Sequence, residues 1–153
     1  MVEHDWNALS QLYIEFHEFH VQGVSNRLQI PKEYDLAELQ TYLLRIMHST
    51  DSAIFVVEVD ERIVGFAEIY LRHAEPKPVV VARHYGHLQS LMVTQAFRKH
   101  GLGAQLIAAA ERWAQAAGAT EVQLDTWEFA DGPLHFYEAI GYKTLKRKLV
   151  KMF

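Results

Sequence analysis

The chain has 153 residues, 50% hydrophobic, 22% charged and 12% aromatic, with 15 Lys and Arg against 19 Asp and Glu for a net charge of −4. A chain of about 150 residues buries roughly 70% of its unfolded surface, so this length fits one domain, 1–153, and the apolar fraction excludes a disordered or collagen-like chain. The acidic balance argues against nucleic acid as a partner, and the absence of cysteine excludes disulfides, thiolate metal sites and an acyl-cysteine intermediate.

Trp6, Leu9, Leu12, Tyr13, Phe16, Phe19 and His20 recur at helical spacing behind Asp5 as N-cap, predicting a first helix. Residues 23–34, with Pro31, read as a loop. A second helix begins at Asp35, with Glu38 in a capping-box arrangement and Leu36, Leu39, Leu43, Ile46 and Met47 on one stripe. Residues 54–59 form a buried strand, Asp60-Glu61-Arg62 a turn and 63–71 the returning strand of an antiparallel hairpin. Pro76-Lys77-Pro78 marks a loop, after which Val79-Val80-Val81 is a candidate to resume pairing.

A strand over 87–93 then leads through a Gly-containing turn into an Ala-rich helix over 102–117, with Gly118 at its left-handed C-terminal position. Residues 122–126 read as a strand and 134–140 as a short helix closed by Gly141. A last strand begins at Tyr142, and the basic run 143–151 is read as its solvated face. A strand–helix–strand unit following an antiparallel hairpin means a mixed sheet in an α/β domain. No apolar run approaches the ~20 residues needed to span a bilayer, and Met1-Val2-Glu3-His4-Asp5-Trp6 does not read as a secretion signal. The expected compartment is the cytoplasm, with no membrane partner.

Chemistry concentrates at Arg98-Lys99-His100-Gly101-Leu102-Gly103, between a strand and a long helix. Glycines let a backbone turn tightly and approach a ligand, and the first amides of a helix have no internal partners. Those amides, the helix dipole and the charges of Arg98 and Lys99 favour an anion, although a plain turn has the same glycine spacing. No Gly-Lys-Ser/Thr follows, which excludes a P-loop, and the third glycine of a dinucleotide fingerprint is missing.

The segment resembles the Arg/Gln-x-x-Gly-x-Gly/Ala signature of the GNAT superfamily of N-acetyltransferases. Leu88-Gln89-Ser90-Leu91-Met92-Val93 through Gly103 is similar to that family's fourth strand and pyrophosphate loop. Leu124-Asp125-Thr126-Trp127-Glu128-Phe129, then Phe136-Tyr137-Glu138-Ala139-Ile140-Gly141-Tyr142, is similar to its fifth strand and its Phe-Tyr-Glu-x-x-Gly-Phe/Tyr helix end. The resemblance implies a mixed, mostly antiparallel central sheet with helices on both faces, splayed between the fourth and fifth strands.

It also implies acetyl-CoA as co-substrate and an acceptor amine that attacks the thioester directly in a ternary complex. Carried over residue by residue, the amides of Arg98, Lys99, His100, Gly101, Leu102, Gly103 and Ala104 would hold the pyrophosphate. The backbone from Leu91 through Met92 to Val93 would pair with the pantetheine arm, held in the gap between the strands at Val93 and Val122. Tyr137 would protonate the leaving thiolate, a role suited to a phenol of pKa about 10.

An alkylamine must lose a proton before it attacks, and three residues are candidates to receive it. Strand alternation puts His87 on the face shared by Gln89 and Leu91, Glu68 lies on the hairpin's second strand, and Glu128 follows the fifth strand. Reaction without a protein base stays open. The chain departs from the family in having Ala130 and Pro133 where an Asn and an Ala usually follow Trp-Glu-Phe, and Asp131 is the candidate to take the Asn's place at the cofactor. The family usually opens with a strand, whereas here the first helix begins almost at once at Asp5: either that strand is absent, the start site is misassigned, or residues 1–4 supply it in brief.

Glu68, Asp125, Glu128 and Asp131 near the cleft favour a cationic acceptor, polyamine-like or aminoglycoside-like. A protein amine, or a non-catalytic acyl-CoA-binding domain, are the alternatives. His17 and His20 share one side of the first helix but have no third ligand at zinc-like spacing, so no metal is expected. Family members are often dimers, with the first helix or the last strand available as an interface here.

Overall fold

The computed structural model describes residues 5–153, and the brief opening strand considered for 1–4 lies outside them. Helix α1 (Trp6–Gly23) buries Leu9 and Leu12. Helix α2 (Leu36–Met47) starts where its cap requires, with the Asp35 carboxylate accepting the Glu38 amide at 2.8 Å and so satisfying one orphan donor of the first turn. Both helices cover one face of the sheet, where Leu9, Leu12 and Leu43 pack on Phe66 and Met92.

Strands β1 (Ser52–Val59) and β2 (Arg62–Ala74) form the expected hairpin. Asp60 and Glu61 connect them with φ of 49° and 60°, the left-handed pair whose twist matches a tight two-residue turn. Strand β3 (Arg83–Val93) starts earlier than expected, and β2 runs on past Leu71 to pair with it from Gly65↔Val93 to Ala74↔Arg83. Val79-Val80-Val81 does not rejoin the sheet. Val80 bridges only to Lys77 within the connection, and Val79 and Val81 are exposed, because Pro76 and Pro78 lack the amide donors a ladder needs.

One irregularity in β3 positions the site. Glu68 faces Ser90 while Ile69 faces Leu88, so Gln89 is an extra residue in the ladder. An inserted residue reverses the alternation beyond it. Leu88 and Leu91 therefore both pack on the α3 side, although their spacing would place them on opposite faces. This corrects the expected placement of His87 beside Leu91: His87 stands across from Tyr70, on the α1/α2 face.

Helix α3 (Leu102–Ala116) carries the chain to β4 (Glu121–Leu124), which pairs parallel with β3 from Tyr85↔Glu121 to Leu88↔Leu124. The sheet order is β1-β2-β3-β4, three antiparallel strands and one parallel edge strand. Pairing stops at Leu88, next to the bulge, and the two strands part from there. The gap thus opens beyond Leu124 and not at Val122, which is paired to Gly86. Leu106, Ile107, Ala110 and Ala114 of α3 pack on Ala67, Ile69 and Leu88, and α4 (Leu134–Ala139) adds Tyr137 to this second core. Gly118 and Gly141 take the left-handed positions read for them, at φ of 87° and 99°.

The strand expected from Tyr142 does not form. Residues 143–153 adopt neither helix nor strand, and Leu145, Leu149, Val150, Met152 and Phe153 are 71–111% exposed. Alternating cations and apolar residues define the two faces of a strand but not its neighbour. A strand also needs an edge to bond to, and among the described residues no edge of the same chain takes this segment. Among the described residues no helix is long and apolar enough to cross a membrane.

Candidate functional site

Beyond Val93 a single 3-10 turn (Gln95–Phe97) reverses the chain, and Lys99 and Gly101 follow with φ of 65° and 79°. Among the described residues the six amides from Lys99 through His100, Gly101, Leu102 and Gly103 to Ala104 donate to no protein acceptor, and the first bonded amide of α3 is that of Gln105, to Gly101 O at 3.1 Å. Free amides at a helix start, approached through left-handed residues, concentrate positive partial charge. The Arg98 amide is not one of them, since it donates to Gln95 O.

The Arg98 side chain also departs from expectation. Its Nε donates to Val93 O at 2.8 Å, its Nη2 lies 3.7 Å from Glu15 Oε1, and the guanidinium sits over the Phe19 ring. It fastens the loop to α1 instead of facing the free amides. Exposed Lys99 is the cation left beside them.

Helix α4 closes over the first turn of α3. A Cβ on Gly103 would meet the Phe136 ring at 3.2 Å, whereas one on Gly101 would meet nothing within 4 Å, so Gly101 is needed for its φ and Gly103 for closeness. Tyr142 donates to Glu111 Oε1 at 2.8 Å and ties the end of α4 to α3. Tyr137 lies between these contacts with its ring buried and its hydroxyl neither hydrogen-bonded nor sealed from solvent. Burial pushes this phenol up to about 12.

Leu91, Met92 and Val93 lie on the stretch of β3 that β4 leaves unpaired. Asp131 is exposed in the turn before α4, and Phe129 just ahead of it packs on Phe19 at 5.7 Å between ring centres. Asp125 and Glu128 are exposed as well.

Glu68 is 0% exposed and is held by three tyrosines. Tyr13 of α1 donates to Oε2 at 2.7 Å, Tyr70 of β2 donates to Oε1 at 2.6 Å, and Tyr42 of α2 also donates to Oε1. Burial first, then the carboxylate, push all three phenols up, Tyr70 to about 12. Sequence reasoning singled out Glu68 but missed its partners. The spacing of Tyr70 to Glu68 along one strand face was the available signal, whereas Tyr13 and Tyr42 arrive only through helix packing. His87 is half-buried, opposite Tyr70 on β2 and Gln123 on β4.

Tyr13 also lines a cavity of about 420 Å³ between α1 and the start of α2, with Ile14, His17, Tyr34, Asp35 and Leu39. A smaller cavity, about 280 Å³, lies beside the stacked rings of His73 and His84, at the opposite end of β2 and β3 from the amide loop. The histidines of α1 are taken up locally, His17 Nε2 with Gln29 O and His20 Nδ1 with Phe16 O. Among the described residues no three His, Asp or Glu side chains are grouped to hold a metal.

Residues 6–142 match the family model described as "Acetyltransferase (GNAT) family". The chain is similar to aminoglycoside N(6')-acetyltransferase type 1 of Salmonella typhimurium, 29% identical over 107 residues that cover 67% of this chain and 70% of that protein. It is similar to an N-alpha-acetyltransferase of Sulfurisphaera tokodaii, 26% identical over 126 residues covering 79% and 72%. Among solved structures, a mutant of the BH1408 protein of Bacillus halodurans has a TM-score of 0.87 at 20% identity, covering 98% of this chain and 94% of that one. AAC(6')-Iy, bound to a bisubstrate analogue of CoA and an acetylated neamine, has a TM-score of 0.77 at 22% identity, covering 100% and 94%. At these identities the structural matches speak to the fold.

Proposed function

We propose that this chain, which belongs to the GNAT family of acetyltransferases, is a one-domain cytoplasmic enzyme that moves the acetyl group of acetyl-CoA to a small cationic amine, which attacks directly in a ternary complex. The observation that carries the reading is the run of free amides from Lys99 to Ala104, which follows the unpaired length of β3 and underlies the helix that carries Tyr137. A pyrophosphate needs donors that lack acceptors and a backbone it can approach, and this loop fits both needs, with open space above Gly101 and Lys99 exposed beside it.

Bound there, acetyl-CoA supplies an activated acyl thioester. The amides of His100, Gly101, Leu102, Gly103 and Ala104, with that of Lys99, hold the phosphates, and Arg98 keeps the loop in place through Val93 O and Glu15. The backbone of Leu91, Met92 and Val93 offers an extended arm the ladder positions that β4 leaves free. Asp131, exposed in the turn before α4, is the residue that would stand in for the family's Asn toward that arm. Tyr137 keeps its proton to about pH 12 and gives it to the leaving sulfur.

The amine is deprotonated on the α1/α2 face. His87, half-buried across from Tyr70, takes the proton. Glu68, enclosed by three phenols, acts as a positioning residue that fixes Tyr70 beside His87. The cavity lined by Tyr13, His17, Tyr34 and Asp35 suits an amine with an apolar or ring-shaped body. The similarity to an N-alpha-acetyltransferase favours a second acceptor class, the N-terminal amine of a peptide.

Calorimetric titration of acetyl-CoA, with NAD as control, tests the reading. Micromolar binding with none for NAD is expected, and no binding at millimolar acetyl-CoA overturns it. Amine panels of aminoglycosides, polyamines and peptides are then followed by release of free thiol, a clean readout for a chain with 0 Cys. Binding without turnover of any amine would make this a regulatory acyl-CoA-binding domain.

A further inference from the structure

We propose that the C-terminal half of α1 is a clamp across the two chain segments that border the cofactor gap, with Glu15 and Phe19 as its positioning residues. Filling the amide loop and holding α1 in place then favour each other. The inference rests on the reading of that loop as the pyrophosphate site, and deepens it by coupling the loop to the acceptor cavity.

Glu15, Phe19 and Gly23 follow one another at a spacing of four on α1 and so share one stripe of the helix. Each meets a segment that has left the sheet. Glu15 Oε1 accepts the Gln95 amide at 3.1 Å and lies 3.7 Å from Arg98 Nη2, both on the turn that leads from β3 into the free amides. Phe19 contacts both segments, with the Arg98 guanidinium 4.9 Å and the Phe129 ring 5.7 Å from its ring centre. A Cβ on Gly23 would meet the Phe129 ring at 2.6 Å, so this glycine lets the ring lie against the helix backbone.

Gln95 and Arg98 follow β3, Phe129 follows β4, and the ladder between these strands stops at Leu88 and Leu124. Helix α1 therefore joins the two sides of the gap where strand pairing no longer does. The same helix sends Tyr13, Ile14 and His17 into the lining of the cavity of about 420 Å³. One element that touches both sites couples them, and a coupling of binding free energies is reciprocal: whatever α1 adds to cofactor affinity, the cofactor returns to the seating of α1.

The charge of Glu15 separates a positioning role from an electrostatic one. Through space, a carboxylate near a phosphate site opposes binding, so its removal by charge alone raises affinity for the cofactor. As a clamp it holds the Gln95 amide and Arg98 in register, so its removal lowers that affinity. The two roles predict opposite signs.

Calorimetric titration of CoA, together with chymotrypsin cleavage in α1 at Tyr13 and Phe16 followed by mass, tests this. Glu15→Gln keeps the shape and an acceptor for the Gln95 amide, and is expected to weaken CoA binding by about fivefold. Glu15→Ala removes that acceptor too and weakens it by about tenfold or more, as does Phe19→Leu. In the parent, saturating CoA slows cleavage in α1 by about tenfold, since cleavage follows the population of the opened helix. In Glu15→Ala at saturating CoA the slowing falls below about twofold. The parent's own response to CoA needs no variant, which keeps the test decisive where a substitution prevents folding. Unchanged or tighter CoA binding in both Glu15 variants overturns the clamp and leaves the cofactor reading standing. So does cleavage of parental α1 at the same rate with and without CoA. A parent that binds no CoA overturns the cofactor reading and the clamp together.

Discussion

The tip of the Phe136 ring stands 3.2 Å from where a Cβ on Gly103 would sit. Two motifs far apart in the chain are therefore one structural unit: the helix that carries Tyr137 is seated on the turn that carries the free amides.

Gly103→Glu sets a side chain against that ring and a negative charge among those amides. Acetyl-CoA affinity is expected to fall by about a hundredfold or more in calorimetry, with cooperative unfolding retained. Unchanged affinity would reduce the glycine pair to turn chemistry.

Tyr137→Phe removes a hydroxyl that has no protein partner. Stability should shift by less than about 0.5 kcal/mol, while kcat falls by about a hundredfold or more at unchanged KM for acetyl-CoA. A kcat within a few-fold of the parent would remove Tyr137 from the mechanism.

Alkaline stability reports the same phenol. Burial holds Tyr137 at about 12 when folded, against about 10 in an unfolded chain. The folded state keeps the proton more tightly, so the stabilisation is complete below pH about 10 and is lost as pH rises from about 10 towards 12. Urea midpoints should hold steady to about pH 9.5 and then drop. Tyr137→Phe should lessen the drop by up to about 3 kcal/mol, and a pH-independent midpoint would contradict the burial argument.

Glu68→Ala leaves the hydroxyls of Tyr13, Tyr42 and Tyr70 without their acceptor. A loss of about 3 kcal/mol or more is expected in urea unfolding, against about 1 kcal/mol for Tyr42→Phe. His87→Gln, in contrast, should lower kcat/KM by about a hundredfold with little change in stability. Equal activity losses from Glu68→Gln and His87→Gln, at equal stability, would argue that Glu68 takes the proton itself.

Signals carried by neighbouring residues were legible in the sequence. The Asp35–Glu38 cap, the left-handed Gly118 and Gly141 and the hairpin at Asp60-Glu61 each express a rule acting within a few residues. What depends on distant parts of the chain was not. Gln89 carries no mark of a bulge, and reading alternation straight through it put His87 on the wrong face. Arg98 reads as an anion ligand until α1 brings Glu15 and Phe19 to it. The tail has a strand's pattern, but pattern does not say whether an edge is within reach. The candidate site divides likewise: the amide loop and Tyr137 were read from motifs, whereas the tyrosines around Glu68 were assembled by packing.

The sheet separates two apolar cores that share no side chain, one of Leu9, Leu12, Leu43, Phe66 and Met92, the other centred on α3. Detaching the α1/α2 layer breaks the first core and the Glu68 cluster but leaves α3 packed on β2 and β3. Amide protons of α1 and α2 are therefore expected to exchange with deuterium as one cooperative block, at a lower opening free energy than those of α3, β2 and β3, which exchange only when the whole molecule unfolds.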